Sequence, residues 1–119
     1  MGNEDGSVDL NEAANLAFTY LHLHELDDWH FRFDRATTRF GCCHHRSKTI
    51  SLSTALVCLN DKIQVRDMIL HEIAHALAGP KVRAHGREWR EIALRIGCNG
   101  RRCYGDEVLR ANSAVASAS

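Results

Sequence analysis

Apolar and polar positions alternate along the chain with two different periods. Over about residues 8–26 the apolar side chains Leu10, Ala13, Ala14, Ala17 and Leu21 recur at helical spacing, and Asp9 followed by Glu12 offers a capping box. A first helix is expected there, with His22 and His24 near its end in solvated or capping roles. Trp29, Phe31 and Phe33 then alternate with His30, Arg32 and Asp34, the period of a half-buried strand. A second strand is expected over residues 38–43 and a third over 48–53, where Ile50 and Leu52 alternate with Thr49, Ser51 and Ser53. Their short connections predict a three-stranded antiparallel meander. Residues 54–60 read as a loop that carries Cys58 into the core.

From Asp61 or Gln64 to Ala78 the apolar residues Val65, Met68, Ile69, Ile73, Ala76 and Leu77 cover much of a helical circumference. Such a helix is central. Gly79-Pro80 stops it, because glycine can cap and proline cannot continue. After a basic loop, a further helix is predicted over about 85–96, with Trp89, Ile92, Ala93 and Ile96 as its buried stripe. His85, four residues before Trp89, falls on the inward face at the end nearest the loop. Gly97 ends this helix.

With 119 residues and 45% apolar content, the chain supports one core and no second domain. The expected organisation is a disordered N-terminus over 1–7, a single domain over 8–110, and a disordered Ala/Ser tail over 111–119. No run approaches the ~20 apolar residues of a membrane span, and the start is acidic where a signal peptide is basic. The expectation is a cytoplasmic protein with no membrane partner, acting as a monomer. Gly2 does not complete a myristoylation signal, because position 6 is Gly. The five cysteines, Cys42, Cys43, Cys58, Cys98 and Cys103, are odd in number and read as mostly reduced thiols. Cys42-Cys43-His44-His45 has the residues for metal binding, but strand neighbours point to opposite faces, so a structural reading with an exposed His turn is preferred. Cys98 and Cys103 flank an Asn-Gly turn and lack the second pair that a zinc knuckle needs.

The chemistry concentrates in His71-Glu72-Ile73-Ala74-His75, the H-E-x-x-H pattern of zinc hydrolases. On a helix the second His lies about 40° around from the first and the Glu about 100°, so all three can point into one cleft. A catalytic zinc site needs a third protein ligand and an open position for water. His85, ten residues after His75, does not fit the six-residue spacing of metzincins, and Glu88 and Glu91 flank the buried stripe of the following helix. His85 is therefore preferred to either glutamate as the third ligand.

His71-Glu72-Ile73-Ala74-His75-Ala76 followed by His85-Gly86-Arg87-Glu88-Trp89 resembles the H-E-x-x-H-x(n)-H-G-x-x-[FW] signature of the SprT-like zinc metalloproteases, which include the Spartan branch. Arg39-Phe40-Gly41, Ile50-Ser51-Leu52-Ser53 and Asn60 resemble the segments that lead into that family's motif helix. Ile96 to Cys103 is similar to the I-G-C-x-G-x-x-C ending of small phage and actinobacterial members. The similarity spans roughly residues 10–105. It implies an α+β, minimal zincin-like fold: an N-terminal helix, the three-stranded antiparallel sheet, the central motif helix, and a following helix carrying the third ligand. It also implies one Zn2+ held by His71, His75 and His85, with Glu72 as catalytic base, and proteolysis, in the Spartan branch of proteins crosslinked to DNA. Larger members carry a C-terminal zinc ribbon or DNA-binding tail, where this chain has the Cys98/Cys103 pair and a neutral tail.

The residues alone allow the same reaction. Glu72 would take a proton from zinc-activated water and pass it to the leaving amine of a protein or peptide substrate. Tyr104, Arg87 and His45 are candidates for stabilising the oxyanion.

Zero net charge hides a strong asymmetry: residues 1–34 hold eight acids and one base, a net −7, and residues 35–119 hold seven acids and fourteen bases, a net +7. Lys81, Arg83, Arg87, Arg90, Arg101 and Arg102 are therefore candidate nucleic-acid contacts, with DNA as the partner, although such runs are commonly solvated faces. The competing functional class is a non-catalytic, zinc-stabilised module that binds DNA or protein. Glu72 discriminates, since a structural site needs no general base.

Overall fold

The computed structural model describes residues 8–100. Helix α1 (Leu10–Leu23) is followed by strands β1 (His30–Asp34), β2 (Gly41–His44) and β3 (Thr49–Ser53). Helices α2 (Thr54–Leu59), α3 (Lys62–Ala78) and α4 (Arg87–Ile96) complete the α+β fold. The expected disordered segments at 1–7 and 111–119, and Arg101, Arg102, Cys103 and Tyr104, lie outside the described residues. Among the described residues no helix is long and apolar enough to cross a membrane.

Sequence chemistry sets the helix ends. The Asp9 carboxylate accepts the Glu12 amide at 2.8 Å and opens α1, which buries Ala13, Ala17 and Leu21. His24 is the C-terminal cap of α1, and the exposed His22 ring pairs with Asp27. Asp61 opens α3 by accepting the Gln64 amide at 2.9 Å. Gly97 ends α4 in the left-handed conformation, with φ of 100°, that glycine adopts without a Cβ penalty.

The sheet is mixed, which corrects the antiparallel meander. Its order is β1-β3-β2, with β1 parallel to β3 and β2 antiparallel to β3. Residues 35–40 are long enough to carry the chain past β3: six extended residues reach about 20 Å, against roughly 10 Å for two strand spacings. The crossing is pinned from both sides. Ser53 Oγ donates to the Ala36 carbonyl at 2.7 Å, the Ser53 amide to the Phe40 carbonyl at 2.7 Å, and the Asp34 carboxylate accepts the Ala36 amide at 2.9 Å.

As the central strand, β3 is buried along its whole length despite its alternating sequence. Its hydroxyls are satisfied locally: Ser51 Oγ donates to Asp34 at 2.9 Å, and Thr49 Oγ1 donates to the Ser47 carbonyl at 3.1 Å. Residues expected as a loop form α2 instead, because Ser53 caps it by accepting the Leu56 amide and Leu56 and Val57 are buried. Cys58 points outward from α2 and is exposed, which corrects its expected place in the core.

Helix α3 is central as expected. Val65, Met68, Ile69 and Ile73 join the core shared with α1, α2 and the sheet, whereas Leu70 and Ala74 pack with Trp89, Ala93 and Cys98. Buried on two sides, α3 presents the ends of both clusters to one cleft.

Candidate metal centre

Three ring nitrogens meet where α3 faces the chain entering α4. The Nε2 atoms of His71 and His85 lie 3.0 Å apart, and those of His75 and His85 3.1 Å apart. His71 and His75 are held one helical turn apart on α3. His85 reaches them from the loop, which corrects its expected position on the following helix: α4 begins at Arg87 with Gly86 as its cap. His85 has φ of 59°, in the left-handed region, where His is better tolerated than most side chains. This backbone turn aims its ring back at α3. Glu88 and Glu91 are exposed and do not join the cluster.

Trp89 forms the floor. Its ring lies 4.7 Å from His71, 5.2 Å from His75 in a stacked arrangement, and 4.9 Å edge-on from His85. Only 1% exposed, it keeps water from beneath the histidines. Burial is the main reason that the His71 ring is pulled down to about 3 and the His75 ring to about 4, with the neighbouring imidazoles adding to it. Both rings are neutral near pH 7, with lone pairs available.

The donor set fits a metal ion. His71, His75 and His85 each offer one ligand atom within 4.8 Å of the others. For tetrahedral zinc with bonds of about 2.0–2.1 Å, ligand nitrogens sit about 3.3 Å apart, close to the observed separations.

Glu72 lies beside this cluster, 5% exposed. Burial raises its carboxyl to about 8, partly offset by the Arg39 guanidinium, which also lies 3.5 Å from Asp34. Glu72 and the three histidines face a cleft of about 470 Å³ whose walls come from β2, α3, residues 78–85 and Trp89. Gly41 is part of that wall, because a Cβ there would stand 3.1 Å from Glu72 Cγ and 2.9 Å from the Ser51 carbonyl oxygen. Sequence reasoning assigned Gly41 and Trp89 no part in the site. A glycine interrupting a strand and an aromatic one turn after a ligand were the available signals.

The other candidates separate by position. His45, expected in an exposed turn, is half-buried and lines the cleft, as does Cys43, whose thiol burial pushes up to about 12. Lys81, Arg83, Arg87 and Arg90 are exposed. Arg83 borders the cleft, and Arg87 pairs with Glu91 at 3.1 Å.

Among solved structures, the fold is similar to that of the metallopeptidase zymogen jannalysin of Methanocaldococcus jannaschii, with a TM-score of 0.56 and 19% identity over 94% of this chain and 98% of that one. Curated proteins yield no match. Residues 9–109 match the SprT-like family over most of the chain's length. The chain that brings His71, His75 and His85 together beside Glu72 thus belongs to the SprT-like family.

Proposed function

We propose that this chain is a zinc-dependent metallopeptidase in which His71, His75 and His85 hold one Zn2+ and Glu72 is the general base. The observation that carries the reading is the convergence of three imidazoles beside a buried carboxyl in one open cleft. Zinc, when bound, supplies a Lewis acid for the substrate carbonyl and makes water acidic enough to lose a proton near neutral pH. Glu72 takes that proton and delivers it to the leaving amine. Trp89 keeps the ligand side dry, and Arg39 limits how far the Glu72 carboxyl is raised.

The substrate is a protein or peptide, and membership of the SprT-like family supports one associated with or crosslinked to DNA inside the cell. Exposed Lys81, Arg83, Arg87 and Arg90 near the cleft support DNA contact, joined by Arg101 and Arg102 beyond the described residues. DNA affinity should then fall steeply with salt. Binding that is absent at low salt, or indifferent to salt, removes DNA from the proposal.

Incubation of zinc-loaded protein with a DNA-bound protein substrate, with and without single-stranded DNA, tests the whole reading. Wild type should cleave, and Glu72→Gln should retain zinc and lose cleavage. Equal cleavage by the two proteins overturns Glu72 as the base, and no cleavage by wild type returns the chain to a zinc-stabilised binding module.

A further inference from the structure

The alternation of β2 continues into the turn that follows it and divides its side chains between two faces. His44 points to the sheet side, with its Nε2 3.2 Å from Ser51 Oγ and 3.5 Å from the Arg32 guanidinium. Gly41, Cys43 and His45 occupy the other face, beside α3. The missing Cβ of Gly41 makes room for Glu72. Cys43 feels the Glu72 charge, and its Sγ lies 3.8 Å from His45 Nε2. The His45 ring also meets Trp29 edge-on, with centroids 6.1 Å apart, so it is buttressed from behind.

Such a reaction needs a donor for the oxygen that becomes negative as the peptide carbon turns tetrahedral. The Arg87 side chain is 91% exposed, is engaged by Glu91, and is absent from the cleft wall. His45 is in that wall, together with Glu72 and all three clustered histidines.

Resting on the peptidase reading, we infer that His45 is a further catalytic residue, donating a ring N–H hydrogen bond to the substrate carbonyl oxygen in the transition state. No proton is transferred: His45 keeps its hydrogen, and Glu72 alone carries the proton from water to amine. A donor of this kind raises kcat and leaves KM nearly unchanged, because the bond strengthens only as charge develops.

The test compares zinc-loaded wild type, His45→Ala, His45→Gln, Tyr104→Phe and Glu72→Gln on an internally quenched peptide, with zinc stoichiometry measured for each. A phosphinate peptide that mimics the tetrahedral state is titrated in parallel. His45→Ala should lower kcat about 100-fold and change KM by less than about 3-fold. It should keep one zinc and bind the phosphinate about 100-fold more weakly. His45→Gln, which retains an N–H donor, should recover at least about 10-fold of the loss. A His45→Ala kcat within about 3-fold of wild type, a loss confined to KM, or no recovery in His45→Gln overturns the assignment. So does a kcat loss found in Tyr104→Phe and not in His45→Ala. The two readings fail differently: cleavage abolished by Glu72→Gln and untouched by His45→Ala sinks only the role of His45, whereas no cleavage by wild type sinks both.

Discussion

Gly41 and Glu72 are packed so that a single added carbon on Gly41 would stand 3.1 Å from Glu72 Cγ. The strand edge and the base-bearing helix thus approach at a distance only glycine allows. Gly41→Ala should destabilise the protein by about 1–3 kcal/mol, because the opposing Ser51 carbonyl at 2.9 Å is backbone and cannot swing aside. It should also lower kcat/KM at least about 10-fold by displacing Glu72. Denaturant titration and peptidase kinetics on the same preparation check both. Unchanged stability would mean that the wall is less tight than its geometry indicates.

The buried Glu72 carboxyl costs the fold stability as pH rises. Its folded value of about 8 lies above the ordinary carboxyl value of 4.5. Below the lower value both folded and unfolded forms are protonated and nothing is lost. As pH rises from there toward 8, the unfolded chain releases the proton and the folded one keeps it, so stability falls. In metal-free protein Glu72→Gln should therefore match wild type near pH 4 and exceed it by on the order of a few kcal/mol at pH 8. Thermal denaturation across that range, in chelator, is the measurement. Parallel profiles for the two proteins would contradict the burial argument.

His71 and His75 produce the opposite slope. Their folded values of about 3 and 4 lie below the ordinary imidazole value of 6.5. The unfolded chain consequently takes up protons first as pH falls through 6.5, and the stability present above that pH is progressively lost. His71→Gln in metal-free protein should flatten the acid limb between pH 6.5 and 4. An unchanged limb would assign acid sensitivity to other groups.

Trp89 contacts all three clustered rings and is 1% exposed. Trp89→Ala should cost about 3–5 kcal/mol through the cavity it leaves. Trp89→Phe should keep the fold and weaken zinc affinity about 10- to 100-fold, the usual effect of removing support behind ligands. Competition with a chromogenic chelator measures this. Affinity unaffected in Trp89→Phe would show that the histidines hold their geometry without the indole.

Much of the site was legible because its chemistry is local. His71, Glu72 and His75 are linked by helical spacing, and Gly79-Pro80 marks the end of their helix. His85 stands out as the histidine four residues before Trp89, where Glu88 and Glu91 only flank the buried stripe, although its left-handed backbone before α4 is not legible there. The parallel pairing of β1 with β3 was hidden because a period of two is the same in parallel and antiparallel strands, and only the crossing at residues 35–40 decides between them. His45 is a candidate from the sequence, but its choice over Arg87 depends on which face of β2 meets α3, a tertiary fact. Helix α2, at six residues, is too short to show a helical period.

The proposed chemistry requires His71, His75 and His85 to form one metal centre. Isothermal titration of metal-free wild type and His85→Ala with zinc measures that directly. Wild type should bind one ion per chain, and His85→Ala should bind it at least about 100-fold more weakly, since two imidazoles on one helix leave the ion without its third protein ligand. Equal affinity and stoichiometry in the two proteins would contradict the assignment of the centre.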